Sequence, residues 1–241
     1  MTGASEWAGT MLLRPGVMVL TGDVGATTLH AHHSVQVLTS ESRFAIGDAY
    51  GNTTTCRAVV VPPNVRHRVV HGAAASTVVH VAPEASAVAT LCPDRGDTVD
   101  GWVRAGSLFL SGPIGTADLV AGLGGHADET GHPAVRRVRA ELPGLLADGP
   151  VRLAAVALRV RLSESRLAHL FAAEMGLPFR AYVRWLRMQQ AMRLVAAGRS
   201  FTEAAHGAGF ADSAHLNRVC HSMFGAAPSD FGRLRWVDEL P

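Results

Sequence analysis

One pattern of residues occurs twice in the last hundred positions of the chain, in register. Ser163-Glu164-Ser165-Arg166-Leu167-Ala168-His169-Leu170-Phe171, closing on Gly176 and Pro178, returns as Asp212-Ser213-Ala214-His215-Leu216-Asn217-Arg218-Val219-Cys220, closing on Gly225 and Pro228. The cap, the apolar face, the terminating glycine and a later aromatic (Tyr182, Phe231) all keep a separation of 49 residues. Such agreement marks a duplicated structural unit. Each copy opens with a helix of small residues, Val151 to Leu158 and Phe201 to Ala208, followed by a tight turn. A second helix follows, with a Ser or Asp cap and polar residues on its outer side. That is the layout of a helix-turn-helix, spanning about residues 151–174 and 201–224.

The segment between the copies sets what the pair can do. Residues 179–195 carry apolar side chains at 179, 182, 183, 186 and 194, with Gly198 beyond the last turn. This is one amphipathic helix, about 25 Å long at 1.5 Å per residue. A connector of that length holds two recognition helices about 34 Å apart, the spacing of successive major grooves on one face of a duplex. Charge is distributed to match. All 22 basic residues are Arg; residues 1–132 hold 7 of them against 11 acids, and residues 133–241 hold 15 against 9. The basic excess therefore coincides with the motifs. The lack of Lys itself reads as base composition of the genome, since the chain is also rich in Ala, Gly and Val.

Residues from about 132 to 236 resemble the AraC/XylS family of transcription regulators, whose signature is a tandem helix-turn-helix with a linking helix. Gly209-Phe210-Ala211-Asp212-Ser213-Ala214-His215-Leu216-Asn217-Arg218, followed by Phe224-Gly225-Ala226-Ala227-Pro228-Ser229-Asp230-Phe231, carries the match. Arg161 stands where the family usually has a turn glycine, and Cys220 where it usually has Phe. The resemblance implies base contacts at Ser165, Ala168 and His169 in the first unit and at Ser213, Ala214, Asn217 and Arg218 in the second. Asn reads adenine edges and Arg reads guanine O6 and N7, so Asn217 and Arg218 are the principal expectations. Arg166, Arg187 and His221 are expected to contact phosphate, and phosphate contact or simple solvation is the competing reading for each of the base readers.

The first half has another texture. From Met11 to Pro83, short Val- and Thr-rich runs such as 17–20, 34–38, 58–61 and 77–81 alternate with Gly, Asn, Pro and Asp breakers. They predict a small antiparallel β-barrel, and segments 99–110 and 116–123 predict a helical pair beneath it. Within the barrel, His30, His32 and Gln36, together with His67 after Pro62-Pro63-Asn64, are similar to the two cupin motifs. On a strand, residues 30, 32 and 36 share a side, so these four side chains are expected to converge on one divalent metal. His71 and His80 are alternates for one of them. Histidines lining a pocket for an organic effector, or a purely structural cluster, are the competing readings. Asn64 takes the place of a turn glycine, which its access to left-handed backbone allows.

The reading is thus of an α+β chain. Residues 1–125 form a cupin-like sensing and dimerisation domain with its helical pair, 126–132 a Gly-rich linker, and 133–241 an all-α DNA-binding domain. The function implied is sequence-specific transcription regulation controlled by a small-molecule or metal effector. A metal-sensing regulator is the alternative, and a cupin enzyme fused to a DNA-binding module ranks last, because no Asp or Glu accompanies the motif histidines. Catalysis is not expected. Double-stranded DNA, an effector, a second copy of the chain and, for an activator, RNA polymerase are the expected partners. Three scattered cysteines, 56, 92 and 220, indicate neither a disulfide framework nor a thiolate metal site. With no apolar run of membrane length and no leader-like start, a cytoplasmic location is expected.

Overall fold

The computed structural model describes residues 7–14, 16–83, 91, 96–110, 131–231 and 234–238. Two units emerge: residues 1–126 together with 220–241, and residues 127–219. The class is α+β, with a sheet in the first unit and helices throughout the second.

Seven strands form the sheet: β1 (Ala8–Arg14), β2 (Val17–Val24), β3 (Val35–Asp48), β4 (Thr53–Val61), β5 (His67–His71), β6 (Ala73–Val81) and β7 (Leu234–Trp236). Their order is β4-β3-β6-β2-β1-β7, with β5 also on β3. All pairs are antiparallel except β1 with β7. The expected closed barrel is not what these pairings make. β4 at one end and β7 at the other have no further strand beside them among the described residues, so the sheet is open. Lone hydrogen bonds reach from the segment after β2 to β5, where His30 and His67 exchange both backbone bonds at 2.9 Å.

Strand β3 is much longer than the run 34–38 predicts. Its register shifts between Thr39 and Phe44, so the exposed Glu41, Ser42 and Arg43 form a bulge and the strand resumes against β4 and β5. Alternation then sorts the faces. Val17, Val19, Val35, Val37, Val60, Val79 and Val81 pack in one cluster with Leu12 and Leu91. The intervening residues place Met18, Gln36, Val61 and His80 in one transverse row of the opposite face, since Gln36 pairs with both Val61 and His80, and Met18 with His80.

Helix α1 (Val99–Ser107) supplies the one member of the expected helical pair that is described; residues 116–123 lie outside the described residues. Gly106 lets it approach β4, because a Cβ there would sit 2.5 Å from backbone atoms of Ala58 and Val59.

The second unit begins with α2 (Pro133–Asp148), capped by His132, whose Nδ1 accepts from the Ala134 amide at 3.1 Å. The helix continues through Pro143, because Val138 and Leu142, 1% and 0% exposed, anchor the turn that loses a hydrogen bond there. Helices α3 (Leu153–Arg159), α4 (Glu164–Met175), α5 (Phe179–Ala196), α6 (Phe201–Gly207) and α7 (Ser213–Phe224) follow. α3–α4 and α6–α7 are the two helix-turn-helix units, and α5 is the connector.

The two turns show where the repeat departs from strict register. Leu162 N–H donates to Ala157 O at 3.0 Å, and Phe210 N–H donates to Ala205 O at 2.9 Å, a separation of 48 rather than 49. One extra residue, Ala211, then precedes the Asp212 cap. Both turns need a left-handed residue: Gly209 at φ +76° in the second and Arg161 at φ +57° in the first. Arg161 therefore carries backbone strain that glycine would not. We expect Arg161→Gly to stabilise the chain by about 0.5 kcal/mol, the relief of strain being partly offset by glycine's looser unfolded state. Denaturant midpoints would check this, and destabilisation would show that the Arg161 side chain holds the turn.

Candidate functional site

Two sets of side chains are candidates, one on the recognition helices and one against the sheet. Helix α4 starts on Ser163, whose Oγ accepts from the Arg166 amide at 3.2 Å, and α7 on Asp212, whose Oδ1 accepts from His215 N–H at 2.6 Å. Each cap leaves the next turn outside the packed face, which is held by Leu167 and Phe171 in α4 and by Leu216 and Cys220 in α7. Ser165, Arg166 and His169 are exposed on α4, with Ala168 half-buried; Ser213, Ala214, Asn217, Arg218 and His221 are exposed on α7. His215 instead turns edge-on to Phe210, with ring centroids 5.3 Å apart. Arg187 is half-buried. Among the described residues its Nε has no hydrogen-bond partner, and its guanidinium lies beneath the second turn, where a Cβ on Gly209 would be 3.3 Å from that nitrogen. This placement makes it a support for the turn as much as a candidate phosphate contact.

The sheet carries the histidines. His30 and His32 do not lie on a strand, contrary to the period-two reading; they sit in the segment between β2 and β3, and only Gln36 is on β3. The reason is the Gly25-to-Ser34 stretch, which pairs at isolated points: Thr27 N–H to Val69 O at 2.9 Å, the reciprocal pair of bonds between His30 and His67, and Asn64 N–H to His32 O at 2.8 Å. Asn64 takes φ +63°, the left-handed turn expected of it. These bonds bring together all four predicted residues. The ligand nitrogens of His30, His32 and His67 lie within 4.8 Å of one another, and Gln36 Oε1 is 2.7 Å from His32 Nε2 and 3.0 Å from His67 Nε2. His80 joins them. Its Nδ1 is 2.9 Å from Ser34 Oγ, and its ring lies 4.8 Å from that of His32. The signal for it was the alternation Val79-His80-Val81, which opposes His80 to the valine cluster. Trp102 of α1, which sequence reasoning missed, brings its ring to 6.1 Å from His67.

Protonation follows from the anchors. The Nδ1 atoms of His30, His32 and His67 lie 2.8, 2.7 and 3.0 Å from the carbonyls of Thr28, Ser34 and Val65. Carbonyls only accept, so each Nδ1 carries the hydrogen and each Nε2 holds a lone pair. Burial pushes His30 down to about 4 and His32 to about 3, the latter helped by the His30 charge. Burial and then neighbouring imidazoles hold His67 and His80 well below the usual range. All four rings are therefore neutral at pH 7. Two lone pairs then face the Gln36 amide. A half-turn of that amide lets its NH₂ donate to both; with the oxygen inward, a shared cation is needed to reconcile the three acceptors. The donor set of three imidazoles and one amide oxygen thus fits a divalent first-row ion, with backbone carbonyls orienting the rings behind it.

Comparison with known proteins places the helical part. Residues 156–233 match the helix-turn-helix domain family. The chain is 36% identical over 87 residues to the arabinose operon regulatory proteins of Salmonella typhimurium and of Escherichia coli, which is 36% of this chain and 31% and 30% of theirs. It thus spans under a third of those relatives. Over 90% of its length it superposes on ToxT from Vibrio cholerae, covering 97% of that chain with a TM-score of 0.53 and 11% identity. ToxT solved with an unsaturated fatty acid bound gives 0.53 at 13% identity, over 90% of this chain and 95% of that one. At such identity this likeness speaks for fold alone. The class so defined is a tandem helix-turn-helix protein with an N-terminal sheet domain. Its helix-turn-helix part is similar to that of the arabinose operon regulatory proteins. Among the described residues, no helix is long and apolar enough to cross a membrane.

Proposed function

We propose that the chain is a cytoplasmic, sequence-specific DNA-binding transcription regulator, without enzymatic activity, whose N-terminal half takes a small-molecule effector. The observation that carries this reading is the duplicated unit with both recognition faces exposed, on a sequence related to the arabinose regulators. Shared fold with ToxT, one form of which was solved with a fatty acid, supports a small molecule as the effector. A cupin-like origin for the sheet domain rests on the histidine motifs, and pairing of two copies through that domain would follow the usual practice of such regulators.

The DNA side is tested at Arg218. Against a duplex selected from a random pool by the wild-type chain, Arg218→Ala is expected to lose about 1–3 kcal/mol and to relax preference at one base position. Equal weakening on every duplex would make Arg218 a phosphate contact instead. Replacing Arg187 is expected to act through the Gly209 turn, lowering thermal stability along with affinity.

A metal effector is the second reading, favoured by the three Nε2 lone pairs that the backbone carbonyls aim inward. In it, His30, His32 and His67 would hold the ion with Gln36 Oε1 completing the set, and the ion would supply positive charge to a neutral pocket. Elemental mass spectrometry after dialysis should find about one divalent ion per chain and none in His67→Ala. Absence of metal from the wild type would leave an organic effector.

A further inference from the structure

The C-terminal glycines of the two recognition helices should be equivalent, and they are not treated alike. Gly176 ends α4 in left-handed geometry at φ +68° and is exposed; Gly225 ends α7 at φ +66° and is buried. Its cover is the histidine segment. Thr28 donates to Gly225 O twice, from its amide at 2.9 Å and from Oγ1 at 3.1 Å, and Ala31 N–H reaches Ser222 O at 3.3 Å. Phe224 stands edge-on to His80 at 5.5 Å. A Cβ on Gly225 would lie 2.5 Å from His30 Nδ1 and 2.6 Å from Thr28 O, so no larger residue fits there. The seat continues along the chain. Phe231 packs on Phe224 at 6.4 Å and on Trp7 at 5.1 Å, and β7 extends the sheet beside β1. Beneath this seat His32 and His67 are 0% exposed. The division between the two units accordingly falls inside α7, after Val219: its first turns carry Asn217 and Arg218, and its last turn groups with the sheet.

We propose that the last turn of α7 is the lid of the histidine site, so that filling the site and seating the second recognition helix are one coupled event. This rests on the reading of that site as the effector's. A ligand that fits only beneath a displaced lid frees the end of α7; one that fits beneath the seated lid holds it. The helix is continuous from Ser213 to Phe224, so a change at Phe224 and Gly225 reaches the base-facing residues two turns away without any other relay. Linkage makes the effect mutual: DNA engaged by α7 changes the affinity of the site by the same factor as the ligand changes that of the DNA.

The test needs no effector. Full-length protein, dialysed against chelator, is treated with diethyl pyrocarbonate, and acylation of each histidine is timed by mass spectrometry. In the wild type His32 and His67 should react at least tenfold more slowly than the exposed His169. Gly225→Ala should raise their rates at least tenfold together with hydrogen exchange in residues 220–228; Thr28→Val, which removes only one of the bonds to Gly225, should do so to a smaller extent and keeps the test open should Gly225→Ala not fold. Binding of the selected duplex should change the two rates by threefold or more. Unchanged acylation in variants whose 220–228 exchange has risen overturns the lid, as does exchange there that neither variant raises. Rates indifferent to the duplex overturn the coupling. Failure of ligand titrations would instead count against the effector reading and leave these outcomes as they stand.

Discussion

Lowering the pH from 7 to 5 is expected to remove most of the stability of the sheet unit. Four imidazoles, His30, His32, His67 and His80, are buried and neutral, with His30 at about 4 and His32 at about 3 in the fold. In the unfolded chain each returns to about 6.5. Between those values the unfolded chain binds protons that the folded one refuses, so stability is full above pH 6.5 and falls as the pH drops through the window. A depression of this size costs ~2 kcal/mol for one histidine by pH 5. His30 and His32 together amount to roughly 4 kcal/mol, and His67 and His80 add to the loss in the same direction, against the 5–15 kcal/mol of a whole domain. Urea titrations followed at half-unit steps should show the midpoint falling steeply below pH 6.5, and His80→Gln should flatten the slope by about one proton. A loss under about 1 kcal/mol across the range would mean that the rings take up protons in place at Nε2 without unfolding the sheet unit.

What the sequence revealed about this molecule depended on how local the signals were. The helical half was legible because cap, periodicity and terminating glycine all lie within a dozen residues of each other: Ser163 and Asp212 cap as read, and the connector runs Phe179–Ala196 against an expected 179–195. The one-residue difference at the turns was hidden, since Ala211 only becomes an insertion once the bonds Leu162 to Ala157 and Phe210 to Ala205 fix the equivalence. Strand β7 carries no such signal. Three residues, Leu-Arg-Trp, pair in parallel with Gly9 to Met11 more than 220 positions away, and no window around them shows alternation. The apolar run 34–38 gives only the start of β3, whereas pairing with its neighbours carries the strand on through the polar residues Thr39 to Arg43 as a bulge. The histidines were found for partly the wrong reason. Their convergence comes from backbone bonds of an irregular segment, not from strand alternation, and the burial of Gly225 against His30 is a long-range contact that its helix-ending role in the repeat gives no hint of.

Phe171→Ala should cost about 3–5 kcal/mol and dismantle the first reading unit. Phe171 is 0% exposed, and its ring lies edge-on to Phe179 at 5.3 Å and to Tyr182 at 5.4 Å. These three rings fasten α4 to the start of the connector helix, so truncation leaves a cavity at the point where both elements meet. Each aromatic pair adds about 0.5–1.5 kcal/mol beyond the area buried, which places the loss at the upper end of the range. The repeat supplies its own control. The equivalent position in α7 is Cys220, 3% exposed, where Cys220→Ala deletes a single sulfur and should cost about 1 kcal/mol. Function should divide the same way. With α4 loosened, Ser165 and His169 no longer present a fixed face, and the loss of several base contacts at about 1–3 kcal/mol each predicts an affinity for the selected duplex at least a hundredfold weaker. Cys220→Ala should bind within a few fold of wild type. Calorimetry and duplex titration on the two variants decide the matter: a Phe171→Ala cost below about 2 kcal/mol, with duplex affinity retained, would show that the first unit is held by something other than its aromatic cluster.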